Sequence, residues 1–413
     1  MKVEEIVGTQ EVIAQEQKYG AHNYSPLPVV LTKGEGVYLW DIEGNRYYDF
    51  LSAYSAVNQG HCHPKIIGAM TAQASRLTLT SRAFYNDRLG DAEKFVCKFF
   101  GYDKALFMNA GSEAVETAIK LARKWGYTKK GIAANTAMIL AAERNFHGRT
   151  TGIISFSTDP SSTEGFGPAN PGYKVIPFND LQALETELIN HPEICAFLVE
   201  PIQGEAGVLI PEEGYLKKAH ELCKKYNVKL ITDEIQTGIG RTGRMLAAYY
   251  DDVHADMLIV GKALSGGVMP VSAVLCDDEI MLCIKPGEHG STFGGNPIAA
   301  AVTIASMEVM LDEKLTENAF AMGKIFRERM SALQLKRPDL ISAVRGKGLL
   351  NALDIIPDEK FGSASDVCLM LMKKGLLCKA THKHTIRFSP PLVITEAQVQ
   401  ECCDLIENVI LSI

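Results

Sequence analysis

Positive charge is in short supply. Lys and Arg number 42 against 49 Asp and Glu, a formal net charge of −7, so the basic stripe of a nucleic-acid surface is missing. No apolar run approaches the about eighteen residues that a membrane helix needs. The opening MKVEEIVGTQEVIAQEQ is rich in acid and has neither a hydrophobic signal core nor an Arg-rich amphipathic pattern; the closing LSI is no recognisable address. Cytoplasm is the default expectation. The ten cysteines include no C-x-x-C pair and no zinc-ligand spacing. Free thiols packed as small hydrophobes are expected, rather than disulfides or a metal. His61-Cys62-His63 lacks a second cluster nearby and reads as a loop or packing feature. Internal repeats, low-complexity tracts and long polar linkers are absent as well.

What remains is an ordinary globular composition, 46% apolar and 22% charged. At 413 residues the chain has material for about two domains and a large core. ALFMNA, MILAAE, YKVIPF, AFLVEPI, VKLITDE, DMLIV and VSAVLC are short apolar runs between about 105 and 275. SEAVETAIKLARKW and YLKKAHELCKKYN between them have helical periodicity. Strands alternating with helices predict an α/β domain with a mainly parallel sheet, buried on both faces. The texture changes after GGNP at 294–297. A long helical pattern runs from Ile298 into the 330s, then AVRGKGLLNALDI, a helix near 365–375 and the strand-like TIRFS. Thr395-Glu396-Ala397-Gln398 has capping-box spacing and opens a last helix with Val399, Cys402, Ile406 and Val409 on its apolar side. We therefore divide the chain into an N-terminal segment (1–50), a large domain (51–297) and a smaller α+β C-terminal domain (298–413). VYLWDIEGNRYYDF reads as two short strands that pack the first segment against the last.

Lys262, in LIVGKALSGG, stands where a buried strand emerges. A buried ammonium is costly unless it has a partner or a chemical task. Asp233, in LITDEIQTG, stands 29 residues earlier at the end of another apolar strand. One strand–helix–strand step would bring both to the carboxyl edge of the sheet, where open α/β sheets bind ligands. Pyridoxal 5′-phosphate would give each a partner: Lys262 condenses with its aldehyde, and Asp233 pairs with its protonated ring nitrogen. Asn109-Ala110-Gly111-Ser112 leads straight into a helix, whose first N–H groups suit a phosphate. Alone, Ser112 reads as a helix cap; beside Asp233 and Lys262 it reads as a phosphate seat. Gly238-Ile239-Gly240-Arg241-Thr242-Gly243 matches the dinucleotide pattern G-x-G-x-x-G in the wrong context, mid-sheet and behind Asp233-Glu234. It reads as a glycine-rich loop near the site.

LVEPIQGEAG, DEIQTGIGRTG, GKALSGG, GEHGSTFGGNP and VRGKGLL together resemble the class-III (ω-amino) aminotransferases, from about YGAHNYSPLPV at 19–29 to the last helix. The resemblance implies the fold-type I architecture of pyridoxal-phosphate enzymes, with a seven-stranded large-domain sheet. It implies a homodimer whose active sites lie at the subunit interface, under cover of the N-terminal segment. Lys262 would be the Schiff-base lysine, Asp233 the partner of the ring nitrogen, Gln236 a donor to the ring's 3-oxygen and Phe146 the stacking ring. Gly111 and Ser112 would hold the phosphate, with Ser291 and Thr292 from the neighbouring subunit. Tyr24, Tyr54 and Arg149 would grip the α-amino-acid end of ornithine. Arg387 would take the α-carboxylate of 2-oxoglutarate, and Glu205 would mask Arg387 while ornithine enters. The implied reaction is transfer of the δ-amino group of ornithine to 2-oxoglutarate. N-acetylornithine and 4-aminobutyrate are the alternative amino donors, and no metal is involved. The chain departs from the family pattern at Met269 and His147, neither of which is expected to touch the chemistry directly.

Overall fold

The computed structural model describes residues 8–358 and 362–413; the first seven residues of the N-terminal segment lie outside them. The seven apolar runs form one sheet. Its strands are β1 (Lys104–Met108), β2 (Met138–Ala142), β3 (Tyr173–Ile176), β4 (Ile194–Val199), β5 (Lys229–Asp233), β6 (Met257–Val260) and β7 (Ser272–Cys276), in the order β1-β7-β6-β5-β4-β2-β3. Neighbours from β3 through β6 are parallel, and β7 alone runs antiparallel to both β6 and β1. Every residue of β4, β6 and β7 is buried. Helices therefore cover both faces, as continuous apolar strands require.

The crossovers differ in build. The amphipathic helix Tyr215–Lys225 carries the chain from β4 to β5. Between β5 and β6 the expected helix is only a short 3-10 turn, Ala247–Asp251, preceded by the Gly238–Gly243 loop. Arg241 in that loop is buried, with its guanidinium donating to the carbonyls of Leu349 and Pro390 and to Asn58 Oδ1. The loop thus ties the sheet to the C-terminal region. Its glycines serve close approach, since a Cβ at Gly243 would lie 3.0 Å from the Phe320 backbone.

The long helical pattern after Ile298 is two helices, Pro297–Asp312 and Leu315–Lys336. Lys314 adopts a left-handed conformation, φ 51°, and ends the continuity that apolar spacing alone predicts. The second helix packs on a four-stranded sheet of β8 (Ile341–Lys347), β9 (Leu350–Ile355), β10 (Lys379–Thr381) and β11 (Thr385–Phe388), ordered β8-β9-β11-β10. The last helix, Glu396–Leu411, is capped by Thr395 and Gln398 and buries Val399, Cys402, Ile406 and Val409. A third sheet joins the ends of the chain: Arg46–Asp49 pairs in parallel with Leu376–Leu377. His61 and His63 face different carboxylates, Asp49 at 2.7 Å and Glu313 at 2.8 Å.

Candidate active site

Four strands deliver side chains to one edge. Asp233 closes β5, Glu200 follows β4 by one residue, Lys262 follows β6 by two, and Phe146 and His147 lie in the loop after β2. Register pairs Asp233 with Ile259, so the exits of β5 and β6 adjoin. Gly111 and Ser112 begin the helix Gly111–Trp125 just beyond β1. These residues line a cavity of about 220 Å³ with Arg149, Glu205, Ile235, Gln236 and Thr237.

Ser112 is not the helix cap. Ala110 occupies that position, and the Glu113 carboxylate accepts from the backbone N–H groups of Asn109 and Ala110. The first turn therefore presents Gly111 and Ser112 to the cavity. Gly111 admits close approach: a Cβ there would lie 3.0 Å from Ile235 Cδ1.

Lys262 adopts φ 44°, an uncommon conformation for a side-chain-bearing residue. Burial pushes its amine below the ordinary value; Glu205 and Asp233 oppose that shift, and Arg387 adds to it. Burial pushes the Glu200 carboxyl up to about 8, against His147 and with Asp233. Glu200 accepts a hydrogen bond from the Phe146 backbone at 3.0 Å.

The groups expected to face substrate come from scattered segments. Arg387 lies on β11, nearly buried, and its guanidinium grips Glu205 with two contacts of 2.7 and 3.1 Å. Burial alone would raise the Glu205 carboxyl, but Arg387 and the Gln236 amide outweigh it and hold the carboxyl low. Gln236 donates to Glu205 at 2.9 Å. Tyr54 stands with its ring 5.0 Å from the Arg387 guanidinium. It sits in a turn the sequence does not announce: Ser52, Ala53, Tyr54 and Ser55 all have φ between 46° and 74°. A left-handed turn of L-residues costs roughly 1–2 kcal/mol per residue. Asp49 offsets this by accepting from the backbone N–H groups of Leu51 and Ser52, each at 2.8 Å.

Arg149 is exposed and lies 5.7 Å from the Phe146 ring. Tyr24, Tyr54, Ser291, Thr292 and Arg387 are not among the cavity walls. Tyr24 is 72% exposed in the N-terminal segment, and Ser291 accepts from the Asn109 amide at 2.9 Å.

His147, next to Phe146, is one of the cavity walls. Its buried Nδ1 lies 2.7 Å from Asp233 Oδ2. The two residues are 86 positions apart, so no local pattern links them. Glu200 was missed too; its signal was an acid immediately after a buried strand in LVEPIQ.

An amine and a carboxylate at adjacent strand exits, a helix start open to an anion and an aromatic wall fit pyridoxal 5′-phosphate. A family model described as Aminotransferase class-III matches residues 19–410. A relative from Drosophila melanogaster, named a mitochondrial ornithine aminotransferase, is 61% identical, covering 97% of this chain and 91% of its own. The crystal structure of the ornithine aminotransferase from Toxoplasma gondii superposes with a TM-score of 0.96 at 46% identity, over 99% of this chain and 96% of that one. That of an acetylornithine aminotransferase from Elizabethkingia anophelis gives 0.89 at 54% identity, over 98% and 99%.

These names overturn the cytoplasmic expectation, because the relatives from Drosophila, rat and rice are all called mitochondrial. That expectation rested on no positive signal. Acidic composition and core patterning record folding and solubility, which do not specify a compartment. With the family model spanning residues 19–410 and solved relatives matching nearly the whole chain, the protein belongs to the class-III aminotransferases and uses pyridoxal 5′-phosphate.

Proposed function

We propose that the chain moves the δ-amino group of L-ornithine to 2-oxoglutarate, yielding glutamate and glutamate 5-semialdehyde. The semialdehyde cyclises to pyrroline-5-carboxylate, which would connect arginine metabolism with proline biosynthesis. The observation that carries this reading is the two-pronged Glu205–Arg387 pair beside the Lys262 cavity. An enzyme that accepts an ω-amine must keep its α-carboxylate arginine from seizing the first substrate the wrong way round. Glu205 neutralises Arg387 for ornithine and must release it for 2-oxoglutarate.

When bound, pyridoxal 5′-phosphate supplies an aldehyde that captures amines and a cationic ring that takes up the electron pair of a broken C–H bond. Asp233 would hold the proton on the ring nitrogen. Lys262 Nζ would remove the proton from the substrate's Cδ, a task open to a lysine whose amine is lowered by burial. Phe146 would stack on the ring, Gln236 would meet its 3-oxygen, and Gly111 and Ser112 would hold the phosphate. Tyr24, Tyr54 and Arg149 would bind the distal amino-acid end of ornithine. Ser291 and Thr292 would complete the phosphate site of a neighbouring subunit in a homodimer. The exposed aromatics Phe84, Tyr85 and Phe293 support a subunit interface.

A substrate panel tests the reading. Single-turnover rates with ornithine should exceed those with N-acetylornithine, 4-aminobutyrate and lysine. The Elizabethkingia relative favours one competitor: N-acetylornithine as the best donor would replace ornithine in the reading and leave Lys262 and Asp233 in their roles.

A further inference from the structure

Asp233 is held by a donor on each oxygen. The Ile235 backbone N–H donates to Oδ1 at 3.0 Å, and His147 Nδ1 approaches Oδ2 at 2.7 Å. A carboxylate can only accept, so Nδ1 carries a proton and donates. We infer that His147 is a positioning residue, holding Asp233 oriented so that its remaining lone pairs face the ring nitrogen of pyridoxal phosphate. The inference rests on the proposed role of Asp233.

The surroundings give His147 this work. Glu200 and Glu234 are buried acids, pushed up to about 8 and about 7 by burial, with Asp233 adding to both. Glu205 adds a further carboxylate to the same cavity. A carboxylate held at one oxygen alone can swing among these neighbours and turn away from the ring nitrogen. Charge-assisted donation from His147 opposes this. Burial alone would lower the His147 ring, and the hydrogen bond and charge of Asp233 outweigh it and raise the pKa.

Packing alone explains the residue poorly. His147 is buried and its ring lies 5.8 Å from Phe156, a place any apolar side chain would fill. Its Nε2 is buried with no partner among the described residues. An unpaired buried nitrogen is a cost that a packing residue would avoid. The bond from Nδ1 to Asp233 offsets it.

The test titrates cofactor-free protein by fluorescence with two ligands, pyridoxal phosphate and an analogue whose ring nitrogen is replaced by C–H. His147→Leu should weaken binding of pyridoxal phosphate about tenfold to a hundredfold, the scale of a lost hydrogen bond to a charged group. It should leave the analogue's affinity unchanged. His147→Asn, which can set an amide nitrogen where Nδ1 stands, should restore most of the loss. Equal weakening toward both ligands, or none toward either, overturns the inference. Should the leucine variant not fold, Asn against Gln decides, because the Gln amide reaches toward the Nε2 position instead; equal behaviour of those two overturns it. A parent protein that binds both ligands alike removes the Asp233 reading itself, and the inference with it.

Discussion

The two walls of the site are built by opposite means. The cofactor wall is the edge of one sheet: Asp233 ends β5, and Glu200, Lys262 and His147 follow β4, β6 and β2 within a few residues. Its groups are held by buried strands and short bonds. The proposed substrate wall would draw Tyr24, Tyr54, Arg149, Glu205 and Arg387 from separate segments, two of them exposed and one on a left-handed turn. Rigid elements place reacting groups more accurately than loops do. Changes on the first wall should therefore abolish chemistry, and changes on the second should redirect it.

Lys262→Ala is the extreme case. Multiple turnover should disappear, while circular dichroism and some retention of pyridoxal phosphate persist, because Gly111, Ser112, Phe146 and Asp233 remain. Turnover near the parent rate would move the proton-transfer role to another residue and remove the main distinction between the walls.

Glu205→Ala should redirect. Freed of its carboxylate, Arg387 can draw in the α-carboxylate of the first amino acid and present the α-amine instead of the δ-amine. The ratio of glutamate to ornithine kcat/KM should rise by about tenfold or more, the scale of one charged contact. Half-reaction rates with each amino acid measure this. A ratio that holds still or falls would sink the gating role of Glu205.

Much of the cofactor wall was legible because parallel strands write themselves as continuous apolar runs. A charged residue ending such a run stands out, as Asp233 and Lys262 do. The reading failed where a local signal was weak or the contact was long-range. SAYS at 52–55 holds no glycine or asparagine, the residues that ordinarily mark a left-handed conformation. Apolar spacing passes through Lys314 without a mark, so two helices look like one. Nothing in NFHGRT says that His147 will meet Asp233 across the sheet. The substrate wall was legible only through family resemblance, since an exposed tyrosine or arginine carries no physical signature of its own.

Glu200 sharpens the comparison from the side of stability. Its carboxyl, ordinarily near 4.5, is raised to about 8 in the fold. The folded protein therefore keeps a proton that the unfolded chain releases between those values. Stability from this group is fully present below about 4.5 and is lost as pH rises toward about 8. Glu200→Gln has no carboxyl to titrate. In thermal melts from pH 5 to pH 9, the parent should lose ground to the variant as pH rises. Parallel curves would mean that Glu200 is ionised in the fold and that the cofactor wall tolerates another buried charge.

The smallest effect is expected at Ala53, exposed in the left-handed turn that carries Tyr54. Glycine adopts that conformation without the Cβ penalty, a gain of roughly 1–2 kcal/mol. It also gives the unfolded chain more freedom, a loss of roughly 0.4–1 kcal/mol. The difference leaves Ala53→Gly more stable than the parent by up to about 1.5 kcal/mol. The same freedom lets the turn sample other conformations, so Tyr54 should be held less firmly over Arg387. Ornithine kcat/KM should fall about twofold, through KM rather than kcat, because positioning of the distal end is lost and the chemistry at Lys262 is not. Denaturant melts and steady-state kinetics on one preparation measure both. A stabler variant with unchanged KM would show that the strain at 52–55 serves the chain path alone. A drop in kcat at constant KM would show that the substrate wall reaches the reacting atoms, and the two walls would then act as one.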